Sequence, residues 1–348
     1  MASQSLFDLK RSDVVQVLEQ AVGTPIDTFT FTFRHEITGH AGHQGEKLIP
    51  TFDYTTYEGR RGQVVVFVKR HAEQERIESE QFLHAERHNA PIPKLYGAVR
   101  DAENREILFI EHLDRIYTDA EVYRSADLLR SFVRLVARLN ALSTDKAYER
   151  LPKHGALHRI PGDQVPVVQQ IAARARQHDL GDRLARRFGA DANLELALAV
   201  KLRLLGQVTA GFPMGFVHGD LWPYHVGSRK GSDAMLAVDL GLSLLGARFF
   251  DIAPFVGPSD DLPSLALGRE EIAVTYLEDY VGPCGVRSSL ADFLAEADAV
   301  WLAWNSRRLG WLLRLALGGD IQAQDTIWWL LDLLQIWEEG EQVHSGHP

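Results

Sequence analysis

The sequence predicts an α+β fold of two lobes: a first lobe with a five-stranded antiparallel sheet plus a helix, and a larger, mainly helical second lobe. Two observations carry this. Up to residue 111, short β-branched and aromatic runs recur between Gly-, Asp- and Asn-containing turns, and the first of them alternates strictly between Phe and Thr. Beyond residue 113 the apolar spacing becomes helical, interrupted by two short apolar runs that lead to Asp220 and Asp239. The domain division expected from this is 1–113 and 114–348.

The elements follow in order. Ser12 can cap a lead-in helix with Val14, Val15, Val17 and Leu18 on its apolar side, ending near Gly23. Phe29, Phe31 and Phe33 against Thr28, Thr30 and Thr32 make a half-buried strand. Residues 51–57 make the second strand, residues 58–62 the turn, and residues 64–69 the third, which ends on Lys69. Between the first two strands lie Gly39, Gly42 and Gly45, whose spacing fits neither Gly-x-Gly-x-x-Gly nor a P-loop. A hairpin tip is the plainer account of that segment, and its histidines, His35, His40 and His43, read as solvated. A helix over residues 73–89 carries Ile77, Phe82, Leu83 and Ala85 as its apolar positions. His84 and His88 stand four apart on it, but without a His-Glu-x-x-His pattern they read as a solvated face. Pro91 and Pro93 end the helix. Residues 94–99 and 107–111 then complete the sheet around a turn at 101–104.

In the second lobe Thr118 and Glu121 form a capping box for a helix striped by Leu128, Phe132, Leu135, Val136 and Leu139. Residues 143–165 are loop-rich, and Arg174, Arg176, Arg183, Arg186 and Arg187 decorate an amphipathic helix pair. Residues 272–280, 290–317 and 327–337 read as helices. Trp301, Trp304, Trp311, Trp328 and Trp329 gather there, as core or as an aromatic box for substrate. Asp260, Asp261, Glu270 and Glu271 could meet substrate amines.

Composition narrows the partners. A net charge of −10 argues against nucleic acid, which asks for clustered Lys and Arg. The single Cys284 excludes an internal disulfide and a cysteine-based zinc site. No apolar run approaches the roughly 20 residues that span a bilayer, and no targeting segment opens the chain, so the expectation is a cytoplasmic protein away from membranes.

The chemistry gathers in two stretches. Phe216-Val217-His218-Gly219-Asp220 and Ala237-Val238-Asp239-Leu240-Gly241 each hold a carboxylate at the end of an apolar run. Phosphoryl transfer needs such a pair, one carboxylate to orient the attacking hydroxyl and one to hold the metal that bridges the phosphates. Asp220-Leu221 followed by Asp239-Leu240-Gly241 keeps the order of the two Asp motifs of protein kinases. In these residues the chain resembles the aminoglycoside phosphotransferase and choline kinase branch of the kinase-like fold, whose pattern is His-Gly-Asp-x-x-x-x-Asn and then an Ile/Val-Asp strand. Phe249-Phe250-Asp251-Ile252-Ala253 and Pro91-Ile92-Pro93-Lys94-Leu95-Tyr96-Gly97 resemble further segments of that family.

The resemblance implies a bilobal protein kinase-like fold and transfer of a phosphoryl group from ATP or GTP to the hydroxyl of a small molecule. It implies that Asp220 orients the acceptor hydroxyl and that Asp239 ligates Mg²⁺ or Mn²⁺. Lys69 then holds the phosphates and Glu80 positions Lys69, with Glu78 as the alternative. Glu111 and Leu113 flank the linker that binds adenine through backbone groups, while His218 and Asp251 support the catalytic loop. Two positions depart from the family: Asn140 stands where relatives often show His, and His225 stands where they carry a metal-binding Asn. Imidazole suits Mn²⁺ better than Mg²⁺. His225 therefore ligates the metal, only packs, or marks a pseudokinase that binds a ligand or partner without transfer.

Overall fold

Residues 7, 9–37, 46–71, 78–142, 211–257, 264–284 and 288–306, with a few isolated positions up to 326, are described by the computed structural model of the protein. The chain divides into two compact units, one of Met1–Val122 with Asp220–Ser243 and one of Tyr123–Gly219 with Leu244–Pro348.

In the first unit the expected alternation becomes a sheet. It consists of β1 (Ile26–Ile37), β2 (Glu46–Thr56), β3 (Arg61–Arg70), β4 (Leu95–Arg100) and β5 (Glu106–Glu111), ordered β1-β2-β3-β5-β4. All neighbours are antiparallel, as expected. Thr28, Thr30 and Thr32 are exposed while Phe29 is buried, so the period-two pattern selects the face. Phe29, Phe52, Val66, Val68, Ile107 and Phe109 form a core with Val14, Val17 and Leu18 of α1 (Arg11–Val22). Each such large apolar side chain contributes about 1.5–3 kcal/mol on full burial. Gly97 of β4 is what lets α1 sit this close, because a Cβ there would stand 2.9 Å from Val17 Cγ2.

Local expectations needed two corrections here. Ser12 lies inside the first turn of α1 and bonds Asp13 Oδ1, while Lys10 holds the cap position without a side-chain bond. On α2 (Ser79–Arg87) the buried side is Gln81, Phe82, His84 and Ala85, so His84, at 5% exposure, faces inward and Leu83 outward. The ring of His84 lies 4.7 Å from that of His88.

Asp220–Ser243 belongs to this unit as a hairpin. Its strands β8 (Val226–Ser228) and β9 (Leu236–Ala237) join β6 (Arg115–Ile116) in the order β6-β8-β9. A 3₁₀ turn over Pro223–His225 precedes β8 and another over Leu240–Leu242 follows Asp239.

The capping box forms as expected: Thr118 N–H donates to Glu121 Oε2 and Glu121 N–H to Thr118 Oγ1. It starts only α3 (Asp119–Arg124), however. Ser125 then caps a separate helix, α4 (Ala126–Asn140), by accepting from Leu128 N–H. In the second unit α4 packs on α5 (Ala253–Val256) through Phe132 and Phe255 and on α6 (Arg269–Cys284), α7 (Leu290–Ser306) packs on α5 and α6, and β7 (Met214–Val217) pairs with β10 (Leu244–Ala247). Phe249, Tyr276, Tyr280 and Phe293 form its aromatic centre. Trp301 is buried, the core reading of that residue, and Glu271 pairs with Arg130. The expectations for Gly39, Gly42, Gly45, His40, His43, residues 143–165, the five arginines from Arg174 to Arg187, Asp260, Asp261, Trp311, Trp328, Trp329 and residues 327–337 lie outside the described residues, as does the side chain of His35. Among the described residues no helix is long and apolar enough to cross a membrane.

The departure at Asn140 has a structural account. Its buried amide donates from Nδ2 to Phe216 O at 2.9 Å and to Asp251 Oδ2 at 2.8 Å, and its Oδ1 accepts from Tyr276 Oη at 3.1 Å. Asn140→Ala strands a carbonyl and weakens the hold on a buried carboxylate. Urea unfolding should show a loss of about 2–4 kcal/mol, against about 1 kcal/mol for Tyr276→Phe, which removes one neutral hydrogen bond.

Candidate active site

Lys69 is the centre of the site. It is the last residue but one of β3, a strand of β-branched residues, and its inward side chain is only 6% exposed. An ammonium so placed must be paired. Its Nζ donates to Glu78 Oε2 and to Asp239 Oδ1, both at 2.6 Å. The partner on the helix side is therefore Glu78, not Glu80. Two residues along a helix turn about 200° around its axis, so when fully buried Glu78 faces the sheet, Glu80 on α2 faces solvent. Glu106 of β5, which the sequence reading did not single out, fixes this choice. Its Oε2 accepts from Glu78 N–H at 2.7 Å and Ser79 N–H at 3.3 Å, and its Oε1 accepts from Ser79 Oγ. The start of α2 is thereby pinned to the sheet, and His71 Nε2 adds a contact 3.1 Å from Glu78 Oε2.

Asp239 takes a left-handed conformation, φ 63° and ψ 58°. That conformation costs a non-glycine residue about 1–2 kcal/mol, and here it turns the carboxylate toward two ammoniums. Besides Lys69, Lys47 of β2 reaches Asp239 Oδ2 at 3.4 Å. Lys47 was also missed by the sequence reading, although counting outward from the turn after Thr56 puts it opposite Lys69 in the strand register. Burial works to raise the carboxyl of Asp239, but Lys69 and Lys47 override it and hold the group far below the usual carboxylate range. Glu78 behaves alike: burial opposes ionisation, and Lys69 still keeps its carboxyl low. Burial would lower Lys69, yet Glu78 and Asp239 raise it above the ordinary lysine value. All three groups are thus firmly charged.

Lys47, Lys69, Glu78 and Asp239 line a cavity of about 300 Å³. Ile49, Phe67, Phe82, Ile110, Leu113 and Val238 supply apolar walls, and Glu111, Tyr224 and His225 also line it. The cavity is within the range of small-molecule sites. Of the residues singled out from sequence, it gathers Lys69, Asp239, His225, Glu111 and Leu113. Glu111 keeps its carboxylate out of any ligand role, since Arg229 Nε and an Arg229 terminal nitrogen bind it bidentately at 2.6 and 2.7 Å.

Asp220 is not among the lining residues, but it is tied to one that is. His225 Nδ1 stands 2.6 Å from Asp220 O and 3.7 Å from Asp220 Oδ2. A carbonyl only accepts, so Nδ1 carries a proton. Tyr224, stacked edge-on against His225, has its phenol pushed up to about 12 by burial and by the carboxylates of Asp220 and Asp119. In the second unit Asp251 Oδ2 accepts from His218 N–H at 2.7 Å and its Oδ1 from Gly219 N–H at 2.9 Å. This is the bracing expected of Asp251, and it secures the backbone that runs directly into Asp220. Gly219 itself has φ 84°, a turn that a side chain would resist. Among the described residues no three His, Cys, Asp or Glu side chains group as a metal site of their own.

Comparison with known proteins follows this geometry. No curated protein matches the sequence. Solved structures do. An aminoglycoside phosphotransferase from Alicyclobacillus acidocaldarius shares 13% identity with TM-score 0.53, over 99% of both chains. An ethanolamine kinase from Plasmodium vivax shares 12% with TM-score 0.53, over 97% of this chain and 93% of its own. A choline kinase from Cryptosporidium parvum shares 10% with TM-score 0.50, over 96% and 97%. At such identities the likeness establishes the kinase-like fold. The sequence model described as the phosphotransferase enzyme family, APH, matches residues 53–282, about two thirds of the chain. With both carboxylate stretches inside that match, the chain belongs to the APH phosphotransferase enzyme family.

Proposed function

We propose that the protein transfers the terminal phosphoryl group of ATP or GTP to a hydroxyl of a small molecule. The observation that carries this reading is Lys69, buried and bridging Glu78 and Asp239 at the head of an apolar-walled cavity. Its walls suit a base and ribose, and its ammoniums suit phosphates. In this reading the lobe of residues 1–113 supplies the nucleotide site, with the linker Glu111-His112-Leu113 offering backbone groups to the base. Lys69 fixes the phosphates, and Glu78, in the role first assigned to Glu80, fixes Lys69. Asp220 orients the acceptor hydroxyl and takes its proton as the bond to the terminal phosphorus forms and the bond to the departing nucleoside diphosphate breaks.

The residues present fit a divalent ion. Asp239 would supply carboxylate oxygens, and His225, whose Nδ1–H bonds the Asp220 carbonyl, would supply Nε2 when its ring is neutral. One or two protein ligands plus phosphate oxygens is the usual holding of Mg²⁺ at nucleotides, and an imidazole in the set favours Mn²⁺. Such an ion neutralises charge on the phosphates. His225 has a second duty in this account, since its bond to Asp220 O sets the backbone on which the acceptor-orienting carboxylate stands.

Thermal unfolding with ATP or GTP, each with Mg²⁺, Mn²⁺ or no metal, tests the reading. At about 100 times its dissociation constant the true nucleotide should stabilise the protein by about 2.7 kcal/mol. The shift should need metal and vanish in Asp239→Ala. No shift with any combination would instead favour the pseudokinase reading, with His225 as its cause.

The assignment of Glu78 is separable from that of Glu80. Removing one partner of a buried ion pair costs about 3–5 kcal/mol, whereas an exposed site changes stability by about 0.5 kcal/mol or less. Glu78→Ala should therefore lower stability and phosphoryl transfer together, and Glu80→Ala should leave both near the wild-type level in the same assays.

The ion cluster also fixes a pH window. Glu78 and Asp239 titrate below their unfolded values of about 4, so their stabilisation is complete above that pH and is lost only as pH falls through the folded values. Lys69 titrates above its unfolded value of about 10.4, so its share is complete below that pH and is lost as pH rises through the folded value. The stability these three groups contribute to the wild type should accordingly be flat from about pH 5 to 9. Thermal unfolding at each pH measures it.

A further inference from the structure

The two lysines at Asp239 are held differently. Lys69 Nζ touches two carboxylates at 2.6 Å each, one of them fully buried. Lys47 Nζ reaches a single carboxylate at 3.4 Å, and its side chain retains 20% exposure. The pair stand directly opposite in the β2–β3 register, so both project from one face of the sheet and both line the cavity. Like charges directly opposite on neighbouring strands repel. A neutral residue at position 47 would remove that repulsion together with the single long contact to Asp239, and would leave both 2.6 Å bonds of Lys69 in place.

We propose that Lys47 is a second cation for the phosphates of a nucleoside di- or triphosphate, acting beside Lys69. This rests on the nucleotide reading given above. Charge supports it: Lys47 and Lys69 balance Glu78 and Asp239, whereas without Lys47 the cluster would carry a net negative charge toward an incoming polyphosphate. Mobility supports it as well. Lys69 is pinned by buried Glu78, but Lys47 has one long contact and a flexible four-carbon stem. When phosphate oxygens enter, or a divalent ion engages Asp239, Lys47 turns its Nζ from the carboxylate to the phosphates while Lys69 stays bridged to Glu78.

The test titrates the full chain, as wild type, Lys47→Met, Lys47→Gln and Lys47→Arg, with ATP plus Mg²⁺ and separately with adenosine, by calorimetry. A lost charge-assisted hydrogen bond should weaken ATP about tenfold or more in Lys47→Met and Lys47→Gln. Adenosine, which has no phosphate, should bind all four proteins alike, and Lys47→Arg should recover most of the ATP affinity. Running two neutral variants keeps the comparison available when one of them does not fold. Wild-type ATP affinity in the neutral variants overturns the proposal. Equal losses for ATP and adenosine also overturn it, because Lys47 would then only shape the cavity. Binding by the wild type of neither ATP nor, in a parallel titration, GTP is a different result, which removes the nucleotide reading and this inference with it.

Discussion

A buried ammonium between two carboxylates sets the conditions for everything else in the first unit. Lys69 cannot stay charged out of water unless Glu78 and Asp239 both reach it. Each partner in turn has been made to reach. Glu106 holds the amides at the start of α2, so Glu78 arrives at the sheet with its backbone already anchored. Asp239 arrives through a left-handed residue followed by a tight 3₁₀ turn. The unfavourable backbone geometry at Asp239 is offset by the attraction it permits. Strain of this kind persists where the surrounding contacts over-determine it, and such places tend to be functional sites.

A second constraint fixes the backbone that leads to Asp220. Asp251 is buried, and burial raises its carboxyl above the ordinary value, yet its oxygens are filled by the amides of His218 and Gly219 and by the Asn140 side chain. The substitution of Asn at position 140 is thus absorbed locally: a primary amide can donate to both Asp251 and Phe216 O while accepting from Tyr276. The second departure, His225, is absorbed differently. Its ring bonds the Asp220 carbonyl. In both departures the side chain makes a hydrogen bond in a buried setting.

The electrostatic balance of the cavity gives the proposed chemistry its physical sense. Two ammoniums and two carboxylates within one apolar-walled space interact more strongly than they would at the surface, because little water intervenes. A phosphate chain entering such a space would meet Lys69 already fixed on Glu78, so that ammonium would need little reorganisation. At the cavity wall Arg229 pairs with the Glu111 carboxylate at the end of β5 and neutralises it.

Much of this was legible in the residues. The period-two alternation determined the sheet and its inward face, because a side chain's side in a strand depends only on its position in the sequence. The two Asp stretches and Lys69 were visible for a related reason: each sits at the end of an apolar run whose strand or turn is locally encoded. What failed was whatever depended on distant atoms. Glu80 was chosen over Glu78 because the helix phase could not be known until Glu106, 28 residues away, pinned the first turn. His84 was assigned to the wrong face of α2 for the same reason. Lys47 went unnoticed because its meaning lies in a partner 192 residues distant. The sequence alone determined which side chains could carry charge to the site, since chemistry belongs to the residue. Only the tertiary structure decided which of them meet, because a buried ion pair forms where the packing of separate elements brings opposite charges within hydrogen-bond reach.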